Sequence, residues 1–196
     1  MMAQRAPQAT DHELMAAVAR GDVASMSGIY EHRNRALFRF FFRLTGRQAP
    51  AEDLTHEVFL RMIRYRHTYQ TGAHQSGDGF EAWMYRIARN AFADYVRKNR
   101  LETPAVEGEM EAVESGHPSQ FESVAKQQDL ATLHRALGRL PDEKRELILL
   151  SRFQGLSYEQ IGRIVGCETG TVKVRVFRAM KEMGRIYGDL LREKAS

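Results

Sequence analysis

Apolar positions along the chain recur at three- and four-residue spacing rather than in alternation, which predicts helices throughout. No segment alternates apolar and polar residues with Val, Ile and Thr enrichment, so strand signals are nearly absent. Thr10 followed by Glu13 has the form of a capping box, Leu14, Met15 and Val18 supply one face, and Gly21 closes a first helix. Asp22 can cap the next, which runs through Met26, Ile29 and Tyr30. A break near Asn34 then leads into an apolar helix with Leu37, Phe38, Phe40, Phe41 and Leu44, ended by Gly46. Pro50 in a first turn, with Glu52 and Asp53 near the positive end of the helix dipole, opens a helix carrying Leu54, Val58 and Met62, widened by Phe59 and Ile63. After a polar loop from about His67 to Gly79, a long helix is expected from Phe80 to about Arg100, with Trp83, Ile87, Ala91 and Tyr95 along one line.

Beyond residue 120 the helical spacing resumes. One helix is expected around Phe121 to Leu140; Pro141, Asp142 and Glu143 start another, with Leu147, Ile148 and Leu150 apolar, ending near Gly155. Ser157 with Gln160 is a second capping box, opening a short helix with Ile161, Ile164 and Val165 that stops at Gly166. Thr169 caps the last helix, whose Val172, Val176, Ala179 and Met183 face inward, leaving Thr171, Lys173, Val174, Phe177, Arg178 and Lys181 outward. A capped short helix, a tight turn at Gly166-Cys167 and a second helix with a basic outer face form a helix-turn-helix, with Gly162 small enough for a close crossing. In a major groove Arg178 can bond a guanine edge, Val174 or Phe177 can touch a thymine methyl, and Lys173 and Lys181 can hold phosphates. The bland alternative is a helical hairpin with a basic solvent face.

Charge divides the chain further. Residues 1–79 hold 10 basic and 8 acidic side chains, 80–100 hold 5 and 2, 101–129 hold 1 and 7, and 130–196 hold 13 and 8, for a net charge of +4. The acidic block contains Pro104, Gly108, Gly116 and Pro118 without sustained apolar periodicity, which is linker composition. The expected fold class is all-α: two small helical domains, residues 10–100 and 122–196, joined by a flexible acidic linker over 101–121, with the helix-turn-helix in the second. The longest apolar runs, such as Phe40-Phe41-Phe42, fall far short of the roughly 18 residues needed to cross a bilayer. Cys167 is the single cysteine and has no internal partner, and no secretion signal is visible, so a cytoplasmic protein without membrane contact is expected.

Enzyme chemistry finds little support. His56-Glu57 begins like a zincin motif, but Leu60 stands where the second histidine belongs. His67, His74 and Asp78 share a loop without fixed metal-ligand spacing, and Gly77-Asp78-Gly79 lacks the strand of a phosphate cradle. No cofactor, metal or catalytic residue is expected. Arg86, Arg89, Arg97 and Arg100 share a stripe suited to a nucleic-acid backbone, though alone it reads as a solvated face. Tyr85 and Phe92 could stack on unpaired bases, while Trp83 and Tyr95 lie on the core side. Asp53, Glu57, Arg61 and Arg64 are left on another face of their helix, either a soluble surface or a docking site of complementary charge.

Three stretches together resemble the extracytoplasmic-function (ECF) group of the sigma-70 family, bacterial initiation factors with only regions 2 and 4. AEDLTHEVFLRM (51–62) looks like region 2.2, FEAWMYRIARNAFADYVRK (80–98) is similar to regions 2.3 and 2.4, and LPDEKRELILLSRFQGLSYEQIGRIVGCETGTVKVRVFRA (140–179) looks like region 4. The resemblance implies that Asp53, Glu57, Phe59 and Arg61 dock on the clamp helices of core RNA polymerase, with the second domain toward the flap region. It implies that Arg86, Arg89, Asn90, Asp94, Arg97 and Lys98 engage the promoter −10 element, melting it and holding the non-template strand. Thr171, Lys173, Val174, Arg175, Phe177, Arg178 and Lys181 match the reader of the −35 element, and an anti-sigma factor is an implied partner. The loop of residues 67–79 is the counterpart of the family's base-capturing loop, and the acidic linker corresponds to the connection that threads toward the RNA exit channel.

This chain departs from the family where His56 replaces a usual Gln, where Val174 replaces a frequent Ser, and in its longer 67–79 loop. The leading expectation is a promoter-specificity factor and not an enzyme. One rival is an autonomous regulator binding an operator duplex through residues 130–196; another is a metal-dependent hydrolase using the loop histidines.

Overall fold

The computed structural model describes residues 9–70, 78–102 and 122–195, and among them it is helical with no strand. In chain order the helices are α1 (Asp11–Ala19), α2 (Met26–Thr45), α3 (Gln48–Arg64), α4 (Asp78–Glu102), α5 (Glu122–Gly138), α6 (Asp142–Ile148), α7 (Tyr158–Val165) and α8 (Thr169–Ala195). The expected linker lies almost entirely outside the described residues.

Local signals explain most of the boundaries. The Thr10 backbone N–H donates to Glu13 Oε2 at 2.8 Å while Thr10 Oγ1 accepts from the Glu13 N–H, so the first capping box forms reciprocally. Gly46 ends α2 at φ 70°, in the left-handed region. The expected break near Asn34 does not occur: α2 is continuous from Met26 to Thr45. A mid-helix Asn costs only up to about 0.7 kcal/mol of propensity, which the apolar face on both sides of it outweighs. Met26, Ile29, Leu37, Phe40, Phe41 and Leu44 are all buried.

α1–α4 form the first unit. α2 and α3 lie against one another and α4 closes over α3, burying Phe40, Leu44, Val58, Met62 and Met84 between them. Arg33 fastens the entry of the unit, donating to Asp11 of α1 at 2.5 Å and to Glu81 of α4 at 2.7 Å. α5–α8 form the second, with α5, α6 and α7 each packed on α8. α6 does not stop cleanly but passes into a π-helical turn, Leu149–Phe153. Such turns shift the register of the side chains that follow, and here they carry Phe153 and Gln154 toward the first unit. The units touch: α7 packs along α4, and the buried side chains of both join one continuous cluster.

Candidate nucleic-acid and docking interfaces

α8 is held by its neighbour α7. Ser157 Oγ accepts from the Gln160 N–H and the Ser157 N–H donates to Gln160 Oε1 at 2.7 Å, so α7 is capped as expected. Gly166, at φ 71°, turns the chain. A Cβ at Gly162 would lie 2.6 Å from the Cys167 carbonyl oxygen, so only glycine permits the turn to press on α7 this closely. Val172, Val176, Ala179 and Met183 then bury one face of α8, while Thr171, Lys173, Val174, Phe177, Arg178 and Lys181 are exposed, Phe177 to 69%. Lys173, Arg178 and Lys181 form no ion pair among the described residues. Arg175 differs, sitting at the edge of that face with Glu143 of α6 at 3.3 Å.

α4 is arranged otherwise. Arg86, Asn90, Arg97 and Lys98 are exposed. Asp94 accepts from Arg97 at 2.8 Å and from Arg61 of α3 at 2.9 Å, and Arg61 also donates to Glu57 at 2.6 Å. One chain of ion pairs thus joins the exposed face of α3 to that of α4. Near the start of α4, Trp83 is buried, stacks edgewise on Tyr69 and donates to Thr68 Oγ1 at 3.1 Å. Beside it Thr68, Tyr69, Gln70, Trp83 and Arg86, with Arg163 of α7, line a cleft of about 190 Å³.

The expected arginine stripe is split. Arg89 lies roughly 60° around the helix from Arg86, on the side that the second unit covers. Its Nε donates to Glu146 Oε2 at 3.3 Å, while Glu146 Oε1 is buried without a partner. Burial pushes the Glu146 carboxyl above its ordinary range against the pull of Arg89. Tyr85 and Phe92, expected as stacking aromatics, are buried: Tyr85 donates its hydroxyl to Gln154 Oε1 at 2.5 Å. Around them Arg43 lies over the Phe153 ring at 4.5 Å, and Arg145 donates to the Leu44 carbonyl oxygen at 2.5 Å. Arg100 has no described side chain.

α3 presents Asp53 and His56 exposed, with Glu57 and Arg61 half-buried. Phe59, expected on this docking face, is instead 6% exposed and packs on Tyr30 with ring centroids 4.9 Å apart. One position on, Leu60 is 58% exposed between His56 and Arg64. Helical phase puts Leu60 in line with Asp53, Glu57 and Arg64, a signal present in the sequence that the apolar pattern obscured. His74 lies outside the described residues, among which no three His, Cys, Asp or Glu side chains cluster to hold a metal ion and no helix is long and apolar enough to cross a membrane.

The pattern is shared with known proteins. The family described as Sigma-70 region 2 matches residues 29–102, and that described as Sigma-70, region 4 matches residues 130–183. The chain is 35% identical over 170 residues to the ECF RNA polymerase sigma factor SigE of Mycolicibacterium smegmatis, covering 84% of this chain and 63% of that protein, less than two thirds of its length. It is 31% identical over 167 residues to the ECF RNA polymerase sigma factor SigL of Mycobacterium tuberculosis, covering 84% of this chain and 90% of that one. Among solved structures, the sigma factor RpoE of Bartonella quintana, in complex with the anti-sigma factor NepR, superimposes with a TM-score of 0.62 at 29% identity, covering 82% of this chain and 94% of that chain.

Proposed function

We propose, since this chain belongs to the ECF RNA polymerase sigma factors of the sigma-70 family, that it is a promoter-specificity factor: it binds core RNA polymerase and directs initiation at promoters it reads through two separate helices. The observation that carries this reading is the coexistence in one chain of an open cationic recognition helix, α8, and a mixed-charge docking face on α3 tied by ion pairs to α4.

Each surface suits one task. On α8, Arg178 is placed for paired hydrogen bonds to a guanine edge of the −35 duplex, Val174 and Phe177 for apolar contact with thymine methyls, and Lys173 and Lys181 for phosphates. On α4, Arg86, Asn90, Arg97 and Lys98 offer a track for the −10 strand once its bases unpair. Asp53, Glu57 and Arg61 would meet complementary charges on the polymerase clamp helices, with exposed Leu60 as the apolar anchor such interfaces need. The chain then catalyses nothing itself and acts in the cytoplasm, where polymerase is, without a cofactor. A protein anti-sigma factor covering these faces is the natural regulatory partner, by analogy with the RpoE–NepR complex.

The test is run-off transcription with bacterial core polymerase on a pooled promoter library. Wild-type chain is expected to produce new transcripts, Glu57→Lys to abolish them through loss of docking, and Arg178→Ala to lose about 1–3 kcal/mol of discrimination at one −35 position. Sequence-specific binding of the free chain to a two-fold operator, with no transcripts, would establish the autonomous regulator instead.

A further inference from the structure

The two reading helices lie too close together for the task proposed above. α7 packs on α4 with one side and on α8 with another. With helix axes about 8–10 Å apart at each contact, α4 and α8 are separated by about 20 Å. The −35 and −10 elements are about 25 base pairs apart by their names, or about 85 Å of duplex at about 3.4 Å per base pair. Even a helix the length of α8, about 40 Å at about 1.5 Å per residue, does not span that gap. The second unit must therefore leave α4 before both elements are held.

At the seam that opens is a carboxylate that meets α4. Glu146 of α6 is 7% exposed, its Oε2 accepts one hydrogen bond from Arg89, and its Oε1 has none. Glu143 of the same helix adds like charge, and Arg175 of α8 opposite charge. A buried carboxylate with an unmatched oxygen is a replaceable partner, because desolvation offsets much of what its ion pair contributes. Arg89 keeps 39% of its side chain exposed, so a second anion can reach it. Beside the apolar packing of α7 on α4, the polar contacts across the seam are Tyr85 to Gln154, Arg145 to the Leu44 carbonyl and Arg43 over Phe153.

We propose that Glu146 stands in for a promoter phosphate at Arg89: in the free chain its carboxylate occupies the guanidinium that a nucleic-acid backbone takes over when the units part. DNA and α6 compete for one side chain, and the chain opens as DNA wins. The identity of the competitor rests on the sigma-factor reading, whereas the latch itself is a property of the free protein.

The full-length chain carrying spin labels at Glu31→Cys and Arg185→Cys, in a Cys167→Ser background, reports the separation of the units by pulsed dipolar spectroscopy. Glu146→Gln keeps the volume and removes the charge. It should raise the ratio of long to short distances about fivefold or more, and strengthen binding of a −10 non-template oligonucleotide by a like factor. Glu193→Gln, the same charge change at the far end of α8, should alter neither. In an Arg89→Met background, Glu146→Gln should have no further effect. Independently of any variant, adding the oligonucleotide to the chain with native Glu146 should convert short distances to long ones. An unchanged ratio in Glu146→Gln, equal opening in the Arg89→Met background, or an oligonucleotide that binds without opening the chain each overturns the proposal. Failure of run-off transcription by the wild-type chain would sink the sigma reading while leaving the free-chain distances to speak for the latch.

Discussion

α8 and α4 are both long amphipathic helices with basic residues, yet they stand in different circumstances. α8 is buried along one line, Val172, Val176, Ala179 and Met183, and opens its opposite face to solvent with three unpaired cations. α4 is buried along two: Met84, Ala88 and Ala91 enter the core, and Tyr85 and Arg89 meet the second unit. Toward its C-terminal half, Asp94 ties Arg97 of α4 to Arg61 of α3. A helix that reads duplex from outside needs only a preformed face. On the function proposed above, α4 would handle an unpaired strand while packed on both α3 and the second unit, so its availability depends on what else is bound.

The largest way to break this contrast is to strike where the two units share a core. Phe40 is fully buried and meets the Tyr85 ring edgewise at 5.3 Å. Phe40→Ala should cost about 3–5 kcal/mol, and because the cluster is continuous, both units should lose stability in one thermal transition followed by circular dichroism. Two separated transitions would show that α4 and the second unit are not coupled as the seam implies.

Next in size, Gly162→Ala drives a methyl against the Cys167 carbonyl and should cost about 1–3 kcal/mol. The effect on DNA binding should fall on the α8 side. Affinity for −35 duplex drops while binding of a −10 single strand is kept or improved, as paired titrations with the two DNAs would show. Equal loss of both would erase the distinction between the helices.

The smallest effect concerns the seam's other titratable group. His134 of α5 is half-buried near Arg43, and burial first, then that positive charge, lowers its pKa below 6.5. The unfolded chain therefore takes up the proton first. His134 contributes its stability fully above about pH 6.5 and loses it as pH falls from there through the depressed value. The urea midpoint should decline as pH falls below about 6.5, and His134→Gln should flatten that decline. An undiminished slope in the variant would assign the dependence to another group.

Much of this architecture was legible because the signals are local. Capping boxes at Thr10 and Ser157, the left-handed glycines at 46 and 166, and the three-four spacing of Val172, Val176 and Ala179 each act within a turn or two of chain. The outward residues of α8 followed from them, since a helix packed on one line exposes the opposite one. The continuity of α2 through Asn34 did not follow, because the weak local preference there is overruled by burial on both sides.

The amino-acid sequence by itself thus determined the helical class, the helix-turn-helix and the family, all set by periodicity, caps and motif order. Only the tertiary structure decided that Phe59 turns inward while Leu60 turns out, that Tyr85 and Phe92 are covered, and that Arg89 meets Glu146. Those outcomes depend on which neighbour covers each face of a helix. A pattern of spacing carries the angle of a side chain around its own axis, but not what lies opposite it.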